Sequence, residues 1–253
     1  MVRRPDAAPT PPRLDPERSP GRPGTCRDGP LAVASSHPTG TPTNVIELYT
    51  WNTPNGRKVS IALEEMALDY RAIPVDITDE EQFAPDFLAI SPNNKIPAIR
   101  DGEFTLFESG AILLYLARKC GRFLPPEGTP GYWRTLEWLM WQTGGYGPML
   151  GQAHQFLHYN PGKSAYAEER YRNEARRLYG VLDRHLERSA YLTDEPSVAD
   201  FAVWPWTARH NYHRIDLHDF PHVLRWYREL AARPGFVRGY AQPGDVEPIP
   251  LPD

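Results

Sequence analysis

Alternating and helical patterns divide this chain into two parts with different periodicities. Ile46, Leu48 and Thr50 alternate with Glu47 and Tyr49, which predicts a strand over 46–50. Val59, Ile61, Ala62, Leu63 and Met66 can share one face of a helix over 56–66. A second strand is predicted over 70–75, then a short helical segment over 83–88 closed by Ser91-Pro92. Two further apolar runs, 96–99 and 105–107, flank Asp101-Gly102, a hairpin turn signal. A helix over 108–119 carries Ala111, Ile112, Leu114, Tyr115 and Leu116 and ends near Gly121. The order β-α-β-α-β-β-α predicts a small α/β domain with a mixed sheet over 45–122.

A Pro/Gly-rich linker follows, and beyond it the strand signals vanish. Helices are expected over 132–141, 165–188 and 220–232, the last stopped by Pro234-Gly235. Another begins at Ser197, where Asp200 takes the Glu role of a capping box. Gly144, Gly145, Gly147 and Pro148 must interrupt or kink the path between the first two. The second part is therefore an all-helical domain over 131–241, with a loose, proline-rich segment over 242–253.

Composition changes the picture mainly at the N-terminus. Residues 1–44 hold ten prolines and no Phe, Trp or Tyr, so an inert, disordered Pro/Arg-rich tail is expected. It lacks the apolar stretch of a secretory signal, and Asp6, Asp15, Glu17 and Asp28 break the acid-poor pattern of a transit peptide. A net charge of −4 favours neither nucleic acid nor an anionic lipid surface. No apolar run approaches the ~20 residues that span a bilayer. Cys26 and Cys120 make no disulfide framework and fit a reducing, cytoplasmic compartment. His154 and His158 have i,i+4 spacing but no third partner, so no metal is expected.

Three places can carry chemistry. Thr53-Pro54-Asn55-Gly56 joins the first strand to the first helix, where free backbone N–H groups and the helix dipole favour an anion. The Thr53 hydroxyl and the Asn55 amide can donate there to a thiolate and lower its pKa. Taken alone, the turn reads more readily as an ordinary Thr53 N-cap before a Pro at the first helical position. Ile96-Pro97 can hold a cis peptide or start a strand in trans. Glu108 and Ser109 head a helix, where they can bind a carboxylate and an ammonium or simply cap. The chain has no Cys-x-x-Cys, and neither cysteine is in the turn. Thiol chemistry here needs a sulfur brought by a ligand.

These three places occur in one order on an α/β domain followed by helices, an arrangement that resembles the glutathione transferase superfamily. The resemblance covers about 45–240. The stretches TPNGRKV, ISPNNKIPAI, LFESGAILLYLA, WLMWQTGGYGPMLGQ and SVADFAVWPW look like the bacterial Nu-class, Ure2-like disulfide-bond reductases. It implies a thioredoxin-like N-terminal domain, an all-α C-terminal domain, a homodimer, and glutathione as cosubstrate. On that pattern Thr53 and Asn55 would face the sulfur and Gln82 the glycyl end. Ile96, with Lys95 and Pro97 beside it, would pair with the cysteinyl backbone. Glu108 and Ser109 would take the γ-glutamyl group, and Arg170 would add positive charge. The implied reaction is disulfide reduction by the bound thiolate. The alternatives are conjugation of electrophiles and a non-catalytic, partner-binding regulator. Tyr49, near where other classes place a catalytic tyrosine, is expected to pack, and the bulky Trp51 to shape the pocket.

Overall fold

A computed structural model describes residues 45–244 and 247–252. The tail expected over 1–44 lies outside them. The α/β part runs β1 (Ile46–Thr50), α1 (Pro54–Met66), β2 (Tyr70–Pro74), α2 (Pro85–Leu88), β3 (Ala98–Asp101), β4 (Phe104–Phe107) and α3 (Ser109–Cys120). Its four-stranded sheet has the order β2-β1-β3-β4. β1 pairs with β2 in parallel and with β3 antiparallel, and β4 closes the hairpin on β3. This is the mixed sheet that the alternating runs predict, in the thioredoxin-like arrangement that the resemblance implies. Ala67 and Gly121 end α1 and α3 in the left-handed conformation.

The helical part is α4 (Pro130–Trp141), α5 (Gly147–Ala153), α6 (Ala165–Leu186), α7 (Val198–Thr207), α8 (Pro221–Ala231) and α9 (Pro234–Tyr240). The glycine-rich stretch between α4 and α5 does not break the path. It forms a π-turn, Gln142–Tyr146, whose widened ring admits the extra residue, and a second π-turn, His154–Tyr159, follows α5. Pro234-Gly235, expected to be only a stop, opens α9. A proline needs no backbone donor at the first helical position and arrives with its φ already set.

The core is shared across the linker. Ile46, Leu48, Ile61 and Leu113 belong to the same buried cluster as Leu150, Trp204, Trp226 and Phe236. α9 lies directly on α1. At Gly239 an added Cβ would stand 2.5 Å from Ile61 Cα and 2.6 Å from Ile61 N. The Ser60 hydroxyl donates to the Gly239 carbonyl at 2.7 Å. Only a residue without a side chain allows that approach. The segment after α9 is irregular yet tethered: the Tyr227 hydroxyl donates to the Pro250 carbonyl at 2.7 Å, and Ile249 packs on the core. Among the described residues no helix is long and apolar enough to cross a membrane.

Candidate functional site

The turn between β1 and α1 is built as a cap. Thr53 is extended (φ −127°, ψ 158°), its hydroxyl oxygen accepts the Gly56 N–H at 3.1 Å, and Pro54 follows at the first helical position. The capping reading therefore holds, but it does not exhaust the hydroxyl. A hydroxyl accepts and donates at once, so the Thr53 proton is still available. Gly56 makes the turn possible: a Cβ there would meet the Trp51 carbonyl at 2.5 Å.

Asn55 is aimed by a residue 151 positions away. The Trp206 indole N–H donates to Asn55 Oδ1 at 3.0 Å. An indole has only a donor, so the amide must present oxygen to Trp206 and its NH2 group elsewhere. Asn55 lines a hollow of ≈ 150 Å³ together with Lys95, Ile96, Pro97, Phe107, Glu108 and Ser109. Six of the nine candidates named from sequence meet there. The Ile96-Pro97 peptide is cis. Glu108 adopts φ 71°, ψ 110°, unusual for a residue with a side chain. Such backbone costs about 1–3 kcal/mol and concentrates where a structure holds a group for use.

The remaining three candidates stand apart. Thr53 faces the cap at the turn itself. Gln82 lies in the short 3-10 turn before α2, with its Oε1 buried and unpaired. Arg170, on the exposed side of α6, lines a different hollow with Tyr166 and Asn173. Tyr49 is half-buried and its hydroxyl donates to Glu47 at 2.9 Å. Burial, followed by that contact, raises its pKa, so it is engaged away from the turn.

Sequence reading passed over three further residues. Lys58 is only 3% exposed, and its Nζ donates to Gln142 Oε1 at 2.7 Å and to Ser109 Oγ at 3.3 Å. Desolvation pulls its pKa down to about 7, with the Glu108 charge opposing. Its signal was its place on the face shared with Ile61 and Ala62. Gln142 belongs to the first π-turn and Trp206 to α7, contacts too remote in sequence to leave a pattern. Beside Lys58, Arg57 is fully buried, 3.6 Å over the Tyr240 ring. Burial lowers its pKa to about 10, so it remains charged at neutral pH.

A larger hollow of ≈ 640 Å³ adjoins the same turn, lined by Trp51, Asn52, Tyr159, Arg209 and Tyr212 among others. The described cysteine, Cys120, closes the far end of α3, away from the turn.

Residues 44–118 match the family of glutathione S-transferase N-terminal domains, and residues 165–229 a family of glutathione S-transferase C-terminal domains. The chain is 52% identical over 198 residues to the disulfide-bond oxidoreductase YfcG of Escherichia coli (strain K12), covering 75% of this chain and 92% of YfcG. It is 39% identical over 213 residues to YghU of the same organism, also named a disulfide-bond oxidoreductase, covering 77% of this chain and 73% of YghU. Among solved structures, a glutathione transferase from Pseudomonas putida with one glutathione disulfide bound per subunit superposes with a TM-score of 0.75. It shares 42% identity, over 79% of this chain and 93% of that one. A family member from Pseudomonas fluorescens with two glutathione bound gives 0.74 at 40% identity, over 80% and 95%.

Proposed function

The chain belongs to the glutathione transferase superfamily, and from that premise we propose that it is a glutathione-dependent disulfide-bond reductase. The observation that carries this reading is a donor-rich turn beside a groove, neither of which holds a thiol among the described residues. Thr53 and Asn55 would hold the cosubstrate sulfur as a thiolate. Ile96, flanked by Lys95 and Pro97, would pair with the cysteinyl backbone. Glu108 and Ser109 would meet the ammonium and carboxylate of the γ-glutamyl group, and Gln82 the glycyl end. Arg170 would supply positive charge from α6.

The thiolate would attack one sulfur of the substrate disulfide. A new S–S bond forms to glutathione, the old one breaks, and the leaving thiolate takes a proton. A second glutathione then attacks the mixed disulfide, giving glutathione disulfide and a second substrate thiol. Two electrons pass from two glutathiones to one disulfide. Such a sequence needs room for two thiols, which the adjoining ≈ 640 Å³ hollow supports.

The aromatic lining of that hollow favours a second reading, conjugation of electrophiles by the same thiolate. One assay separates them. Turnover of a small disulfide with glutathione, without turnover of a chlorinated aromatic, is expected. The reverse would establish the transferase, and absence of saturable glutathione binding would leave only a non-catalytic regulator.

The reading extends to a homodimer in the reducing cytoplasm. Trp133 and Met140, seven residues apart on one side of α4, are 60% and 53% exposed and suit burial against a second copy. Light scattering on the purified chain should give twice the monomer mass; a single-chain mass would sink the dimer.

A further inference from the structure

Lys58 is a buried ammonium with no acidic partner of its own. Among the described residues it forms no ion pair, and its contacts are two uncharged oxygens, Gln142 Oε1 and Ser109 Oγ. The other ionisable groups on its own helix and on α7 are committed elsewhere. On α1, Arg57 is stacked over Tyr240 of α9, Glu64 is paired with Arg238, and Glu65 with Arg233. On α7, Asp200 is taken up by the Leu192 and Trp226 donors. Only the Glu108 charge, at the head of α3, supports the protonated form.

This arrangement dictates the role of Ser109. While Lys58 is protonated it can only donate, so Ser109 Oγ then accepts from it and turns its own proton away. In that charged form the hydroxyl is a donor at the open head of α3. A carboxylate accepting that proton, together with the free N–H groups of the helix, would lie within about 6 Å of Nζ, the sum of two hydrogen-bond lengths. It would supply the negative charge the buried lysine lacks.

We propose that Lys58 is a positioning residue that serves as buried counter-cation to the ligand carboxylate held by Ser109, and that binding draws a proton from solvent onto its Nζ. The proposal rests on the glutathione reading above and concerns its γ-glutamyl end. Burial has lowered the proton affinity of Lys58 to the neutral range, so the unliganded protein is partly deprotonated there. An anion at Ser109 raises that affinity again, and the difference appears as proton uptake. The sign follows directly. Affinity is greatest below about pH 7 and is lost as pH rises through the pKa of the free protein.

The test is titration calorimetry with S-methylglutathione, whose blocked sulfur removes thiol ionisation from the balance. At about pH 7.5, heats in phosphate and in Tris should differ by an uptake of roughly half a proton or more per site. Affinity should fall about tenfold between about pH 6.5 and 8.5. Lys58→Arg keeps its charge throughout this range, so the uptake and the pH slope should disappear together. Lys58→Met should bind at least about tenfold more weakly at the lower pH. Wild-type binding with equal apparent heats in the two buffers would overturn the proposal, as would uptake that persists in Lys58→Arg. No saturable binding at any pH would instead overturn the glutathione reading itself.

Discussion

Asn55→Ala is expected to lower kcat/KM for glutathione-dependent disulfide reduction about 100-fold, the scale of losing one aimed donor to a developing or standing anion. The size of the effect comes from orientation. The Trp206 indole holds Asn55 Oδ1 at 3.0 Å, so on a residue that lines the groove the amide NH2 is turned away from Trp206 before any ligand arrives. Removing it takes away a donor that cost nothing to align. The thiolate absorbance of bound glutathione should then titrate at higher pH, because hydrogen bonds to the charged form are what depress a thiol pKa. Thr53→Ala should lose only several-fold. Its hydroxyl is shared with the Gly56 N–H, and the backbone donors of the turn persist. It should also cost about 1 kcal/mol of stability as a lost cap. Equal turnover in wild type and Asn55→Ala would show that the amide serves only to bind Trp206.

Asp200→Ala should destabilise the fold by about 4–5 kcal/mol, approaching the whole stability of an ordinary domain. Asp200 is completely buried. Its Oδ1 accepts from the Leu192 N–H at 3.1 Å and the Trp226 indole at 2.9 Å. Its Oδ2 accepts from the Ser197 N–H at 2.9 Å and the Ser197 hydroxyl at 3.1 Å. Four donors from three segments converge on one side chain. Truncation leaves them in a dry interior, where each unpaired group costs about 1–3 kcal/mol. Urea unfolding at neutral pH measures the loss, and a shift below about 1 kcal/mol would show that the segments repack without their hub.

Half of the Asp200 constellation was legible in the sequence. The Ser197–Asp200 spacing predicts the capping box, which is observed, because both partners lie within one helical turn. The contacts with Leu192 and Trp226 were not legible, since no local pattern announces them. The same distinction runs through the site. Thr53, Asn55, Ile96, Pro97, Glu108 and Ser109 stand at element ends, where turn chemistry restricts residue choice, and the fold places them around one turn and its groove. Trp206 and Gln142 reach the site only through folding, across 151 and 84 residues. Lys58 was hidden differently: a charged residue on an apolar face looks like an exception until its partners are known. The π-turns escaped because one inserted residue leaves the 3.6-residue pattern almost intact. α9 escaped because Pro234-Gly235 has the form of a stop signal and serves as a start.

The crossing of α9 over α1 has a consequence for how the protein is made. The Arg57 side chain donates to the Tyr240 carbonyl, 183 residues downstream, and the Ser60 hydroxyl to Gly239, 179 residues downstream. Until α9 is made, α1 has its cap, its strand and its contacts with α3 and α7, but the flank that α9 covers stays open. An early helix of the described chain is thus completed by a late one. A transcript truncated before α9 is therefore expected to yield a chain that carries every candidate glutathione contact yet leaves one flank of α1 open beside the candidate turn, so loss of expression rather than partial activity is the expected outcome.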